Sequence, residues 1–481
     1  MFQGMQSLFT KYWGVKHALL LLFCLLFLPL DASPVGLWVL LSGSLFFATL
    51  TLPPIRRGES FPMARERVRA ALFADPFVWV AIGLLAYAGF QWYNSGLVLA
   101  YQFDTKSWAF GKSPLGWGPF AVKPVVAYRA FVGVLATISA VVAVRHGMPP
   151  GGRYGLMVGV SVLTGGAALC FVVQSVLVSF MGISLPVLPL EGGDATSIGA
   201  VFTLGALMSC AMVFESAKRI KRQWGFVGMG VVILCQVPIA ATLSVAVIVP
   251  AVLGVVAAVV IGVGRLRGAA ANILRFRLLV VLLGGVIGAW VANLSIWCWS
   301  PNLMALFART GWSDVIGAWG EQWVQRAELA LSIWQDYPWC GVGPGGYSEF
   351  VGFYAKAADW AVIAQTKQLV ENGYLRLLVE QGLVGTALLA AAWVVLLATV
   401  VARLMSRSLV LKRATKTAVS DRLELSNTPV ALWIAVATGA VQMVFCEPLL
   451  HPVNLFLWCL ALALSAYTVK TGSRALTEKR G

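Results

Sequence analysis

Twelve apolar runs parted by short polar connections dominate this 481-residue chain. Backbone inside a bilayer must satisfy its own hydrogen bonds, which restricts spanning segments to helices or closed barrels. Runs of about 20 continuous apolar residues fit helices. Their limits fall near 18–30, 35–52, 76–93, 123–143, 154–180, 197–214, 225–240, 242–264, 278–298, 373–402, 429–446 and 450–469. The first run follows Lys11 and Lys16 like a signal peptide, but with so many spans behind it, it reads as an uncleaved first helix. Hydrophobic residues make up 59% of the chain and charged residues 12%, far outside soluble averages. The expectation is an all-α polytopic transmembrane bundle of about 12 helices, a single membrane domain over 1–481. Too little chain remains for a cytosolic enzyme on an appended anchor.

The net charge of +16 does not point to nucleic acid, because the cations sit in short clusters between apolar runs. Cytoplasmic loops collect Lys and Arg. With the N-terminus inside, 27 of the 36 cations fall on inner segments. The other nine are Lys106, Lys112, Lys123, Arg129, Arg309, Arg326, Lys356, Lys367 and Arg376. Both termini are therefore expected inside. His17, His146 and His451 are the only histidines, too few and too scattered for a histidine metal site, so metal-independent chemistry without a cofactor is expected.

One outer connection is long, 299–372, and loops of that length are usually functional or carry helices of their own. Within it, 320–335 reads as an amphipathic helix with Trp323, Ala327, Ala330 and Trp334 on one face, expected to lie on the membrane surface. The GVGPGG stretch at 341–346 satisfies a G-x-G-x-x-G pattern, but it follows a helix and contains Pro344. It reads as a tight turn rather than a dinucleotide loop.

The stretch WQDYPWCGVGPGGY at 334–347, followed by ENGYLRLLVEQGLVG at 371–385, resembles the bacterial O-antigen ligase and O-antigen polymerase superfamily. That family shows a D-x-P-x-x-G-x-G-x-G-x-F/Y turn in a long periplasmic loop, then H-N-x-Y-L-x-x-L-x-E-x-G-x-x-G opening the next helix. The resemblance covers about 50 residues closely. It implies a multi-pass protein of the bacterial inner membrane that transfers glycan from an undecaprenyl-diphosphate-linked oligosaccharide to an acceptor glycan, with flippase and chain-length regulator proteins as partners. Two departures stand out. Glu371 occupies the place of the family histidine, and Ser244-Val245 stands where many members carry Ser-Arg.

Such a reaction needs a base for the acceptor hydroxyl and cations for the leaving diphosphate. Glu371 and Asn372 are the candidate catalytic pair, standing where the long loop enters a helix N-terminus, which attracts anions. Helix capping is the plainer reading of both. Arg326, Arg376, Arg129 and Tyr374 are the candidate substrate-binding residues. Arg376 and Arg129 lie about one turn inside their spans, where a charge needs a cavity, a partner or a route to the interface. Glu380 is expected to bond a neighbouring helix and His451 to serve a turn. A polysaccharide polymerase is the leading reading. A ligase of the same fold is its near neighbour, and a transporter or flippase is the alternative of another class, disfavoured by the missing internal repeat.

Overall fold

The computed structural model describes residues 35–55, 59–96, 99–102, 107–110, 115, 118–148, 150–181, 195–218, 222–241, 245–264, 287, 312–355, 372–414, 428–445 and 452–467. The run at 18–30, nearly all of 278–298, and Glu371 lie outside them.

Helices occupy the other ten apolar runs. They are α1 (Val35–Thr51), α3 (Pro76–Tyr93), α4 (Pro124–Val142), α5 (Pro150–Met181), α6 (Ala195–Lys218), α7 (Arg222–Ala241), α8 (Val245–Gly264), α11 (Gly373–Ala414), α12 (Thr428–Phe445) and α13 (Pro452–Tyr467). Between them lie α2 (Phe61–Phe73) before α3, α9 (Trp312–Asp336) and α10 (Tyr347–Tyr354). Among the described residues, three helical stretches are long and apolar enough to cross a membrane: Pro124–Gly147, Gly155–Gln174 and Gly373–Thr399. The α2–α3 pair, bent by 65°, makes a fourth if it is counted as one span, and six further helices are apolar but shorter.

Helix starts follow from local chemistry. Pro76 and Pro124 open α3 and α4, where a missing N–H costs nothing. The Asp75 carboxylate accepts the Phe77 N–H at 3.0 Å as the cap of α3. The helical bundle closes around α6, which packs against α5, α7, α8, α12 and α13. Every described side chain of α6 from residue 199 to 213 is buried, the signature of an inner helix. Close approach relies on small residues there. A Cβ on Gly205 would overlap Thr164, and one on Gly165 would come within 2.6 Å of Val231.

One short antiparallel hairpin departs from the all-α expectation. Strand β1 (Leu99–Gln102) pairs with β2 (Ser107–Phe110), Leu99 opposite Phe110. Four-residue strands leave too short a pattern to register, although Tyr101, Trp108 and Phe110 favour extended backbone. A second, smaller apolar cluster gathers Leu329, Ala330, Ile333, Val342, Tyr347, Phe350, Val351 and Val379 from α9, the turn after it, α10 and α11.

Candidate functional site

The two motifs that carry the family resemblance lock into each other. At Gly382 the α11 backbone leaves the helical region, with φ 62° and ψ −171°. In an unbroken helix, Leu383 and Val384 would donate to the Val379 and Glu380 carbonyls four residues back. Here the 338–343 turn is inserted between them. Val342 N–H donates to Val379 O at 2.9 Å and Gly343 N–H to Glu380 O at 2.8 Å. In return Leu383 N–H donates to Pro338 O at 2.8 Å and Val384 N–H to Trp339 O at 3.0 Å. The four groups orphaned by the break are thus satisfied by the turn.

The glycine spacing follows from this fit. Gly341 and Gly343 have φ of 66° and 81°, a region that penalises a side chain. A Cβ on Gly341 would come within 2.6 Å of the Glu380 carbonyl, and one on Gly343 within 2.5 Å of Ala121 Cα. The tight-turn reading of GVGPGG therefore holds, and Pro338 lies two residues past the end of α9 at Asp336.

The connection between α3 and α4 braces the turn from the other side. Buried Asn94 donates to the Leu115 and Pro119 carbonyls at 3.1 and 3.0 Å and accepts the Leu115 N–H at 3.0 Å. This sets Phe120 edge-on to Tyr337, which stacks edge-on against Phe350. Lys123 pairs with Glu349 of α10 at 2.5 Å. From α3, the Tyr87 hydroxyl lies 2.6 Å from Gln381 O and 2.9 Å from Cys340 O, one donor shared by both halves of the lock. A Cβ on Gly385 would reach within 2.6 Å of the Tyr87 ring, which accounts for the last glycine of the second motif.

The candidate side chains fall into distinct settings. Asn372 caps α11, its side-chain oxygen accepting the Tyr374 and Leu375 N–H groups at 3.1 and 3.0 Å. That leaves only its NH2 group for a substrate. Glu371 immediately precedes this cap in the sequence. Arg376 donates to Glu380 at 2.8 Å, an i,i+4 pair on one helix rather than the expected bond from Glu380 to a neighbouring helix. Tyr374 is 38% exposed and gives its hydroxyl to the Ala440 carbonyl of α12 at 2.9 Å. Arg129 is exposed on α4.

Arg326 is 3% exposed, on the buried stripe of α9 with Leu329, Ala330 and Ile333. This corrects the expected face of the amphipathic helix. The stripe at i, i+3, i+4 and i+7 packs on the turn and α11 rather than on the membrane surface, because the loop supplies its own apolar partner. Trp323 and Trp334 flank the stripe, half-buried. Burial raises the Cys340 thiol, so it stays protonated at neutral pH and is a poor nucleophile. Burial together with the Asp336 carboxylate, which accepts its hydroxyl, raises Tyr354.

Beneath the lock, α3, α4 and α11 line a small, partly open apolar cleft of about 100 Å³. Leu84, Ala130, Val134, Leu389 and Trp393 line it, and Pro344 of the turn joins them. Its few polar lining groups include Tyr87, Gln91 and Gln381. Gln91 is 1% exposed, and its side-chain oxygen has no hydrogen-bond partner among the described residues. Tyr87 and Gln91 are spaced i,i+4 in an otherwise apolar run. That sequence signal marks an interior-facing stripe.

A second polar cluster lies where α2 meets α3. Asp75 accepts two bonds from Arg145, at 2.8 and 2.9 Å, and one from His146 Nε2 at 2.8 Å. Arg145 and His146 sit on a π-helical turn, Ala143–Gly147, that ends α4. Burial alone would raise the Asp75 carboxyl, but His146 and Arg145 together hold it down at about 2. In the sequence Arg145 counts only toward topology and His146 only as one of three scattered histidines. No protein-family model matches the chain, and no curated protein matches it significantly.

Proposed function

We propose that the chain is a polysaccharide polymerase of the bacterial inner membrane, with twelve spans, both termini in the cytoplasm and 299–372 on the periplasmic side. The observation that carries this reading is the interlock. The two motifs behind the resemblance to O-antigen ligases and polymerases meet through four main-chain hydrogen bonds directly over an apolar cleft. A cleft of that lining suits a prenyl chain, and the helix start beside it suits the diphosphate.

In the proposed reaction Glu371 removes the proton of an acceptor sugar hydroxyl. The hydroxyl oxygen attacks the anomeric carbon of the donor glycan, and the bond from that carbon to the diphosphate oxygen breaks. Undecaprenyl diphosphate departs with its charge balanced by arginines. Arg376 and Arg129 are placed better for this than Arg326, which the α9 packing buries. Asn372 orients the base by fixing the start of α11.

The test is Glu371→Gln, nearly isosteric but unable to take a proton, with gel analysis of lipid-linked glycans. A general base contributes ~10²–10⁴-fold. A polymerase then leaves single repeat units on undecaprenyl diphosphate, a ligase leaves long glycan on that lipid, and a flippase leaves the repeat unit in the cytoplasmic leaflet. Normal long-chain product from a normally expressed variant would remove Glu371 from the mechanism.

A further inference from the structure

We infer that α2 is a membrane-surface helix that binds the headgroups of anionic phospholipids. The inference rests on the chain being membrane-embedded and is independent of the glycan chemistry. It starts from the elbow between α2 and α3. The two helices meet at 65° around Asp75, so when α3 crosses the bilayer α2 runs much nearer the membrane plane. At that elbow Trp79 donates its indole N–H to the Phe73 carbonyl at 2.9 Å, and the two rings lie 6.3 Å apart. Phe73 is 70% exposed and Trp79 56%, an amphipathic aromatic pair of the kind that settles at headgroup level.

The faces of α2 agree. Ala64, Val68 and Leu72 recur every four residues and are buried against the protein. Met63 and Phe73 stand five residues before and after Val68, about 140° around the helix from it in opposite senses and so about 80° from each other, with exposed Glu66 between them. Met63 is 63% exposed. Arg65 and Arg69, one turn apart, share a flank and are exposed. Neither belongs to an ion pair among the described residues. Two cations beside exposed apolar side chains match an anionic headgroup above acyl chains.

The helix is also held in place before any lipid arrives. Arg67 of the same helix is spent on Glu59, at 2.8 and 3.1 Å, and on the Pro54 carbonyl at 2.7 Å. At the other end, Asp75 is clamped by Arg145 and His146. A surface fixed at both ends meets lipid with little further ordering cost. The cation count puts this face on the cytoplasmic leaflet.

The test titrates the purified full-length protein in detergent with phosphatidylglycerol and with phosphatidylcholine, followed by tryptophan fluorescence. Each arginine near an anionic surface contributes about 1 kcal/mol, or about a fivefold change in affinity. Arg65→Gln/Arg69→Gln should therefore weaken phosphatidylglycerol binding roughly thirtyfold and leave phosphatidylcholine binding unchanged. Arg65→Lys/Arg69→Lys should retain most of it, because a surface charge suffices. Unchanged phosphatidylglycerol binding in the Gln variant overturns the inference, and so does equal loss of both lipids. Wild-type binding of phosphatidylglycerol should also fall with salt. Salt-independent binding overturns the inference even if the variant fails to fold.

Discussion

Gly382→Ala is expected to undock the 338–343 turn. An alanine at φ 62° and ψ −171° occupies a region open essentially to glycine alone, a strain of about 1–3 kcal/mol. Its Cβ would also lie 2.5 Å from Gly341 N and from the Trp339 carbonyl carbon, main-chain atoms that have no rotamer to yield. The strain and this overlap act together against the docked state, which is held by four main-chain hydrogen bonds. At about 1 kcal/mol each, that amounts to about 4 kcal/mol, or on the order of a thousandfold in the opening equilibrium. Hydrogen–deuterium exchange of purified full-length protein reads it directly. The Val342, Gly343, Leu383 and Val384 amides should exchange about 10²–10³-fold faster, with the amides of α6 unchanged. Gly43→Ala, where a Cβ meets nothing within 4 Å, is the control. Unaltered protection of 338–343 in Gly382→Ala would refute the interlock as the reason for these glycines.

Tyr87→Phe leaves the Cys340 and Gln381 carbonyls without their shared donor and should destabilise the protein by about 1–3 kcal/mol, seen as a lower Tm together with faster exchange in the turn. Asp75→Asn breaks a buried pair and should cost about 3–5 kcal/mol by chemical denaturation at neutral pH. The Asp75 carboxyl is held at about 2 against an ordinary 3.8, so in wild type its contribution of about 2 kcal/mol is present above pH ~4 and lost as pH falls toward 2. A stability–pH slope in that window that survives Asp75→Asn would disprove the assignment. Ser348→Cys in α10 should react with an impermeant thiol reagent in intact cells stripped of their outer membrane. Reaction only after the inner membrane is opened would reverse the topology.

Helix positions were legible because a bilayer leaves a chain little choice. Ten of the apolar runs carry helices whose ends agree within about three residues, except α5 at its N-terminal end, α6 at its C-terminal end and α11. That helix continues to Ala414, since nothing in the basic stretch after 402 breaks it. The motifs were legible as sequence, whereas the reason for them was not. Insertion of a turn into a helix ladder joins residues some forty apart, and no periodicity encodes it. The turn's glycines announced positive φ, and Gly382 gave no comparable sign because a single glycine in a helical pattern is tolerated. The burial of Arg326 follows from its position on α9 rather than from its charge. The residue shares a stripe with Leu329, Ala330 and Ile333, spacing that places it against the protein whatever its charge. Polar residues such as Tyr87 and Gln91, passed over within an apolar run, turned out to line the cleft.

The most direct measurement of the proposed activity is turnover by the purified protein in liposomes supplied with a short undecaprenyl-diphosphate-linked glycan. The expected result is longer glycan on the lipid with release of undecaprenyl diphosphate, without added metal, and its loss in Glu371→Gln. Movement of intact lipid-linked glycan across the bilayer with no new glycosidic bond would contradict the polymerase reading and favour transport.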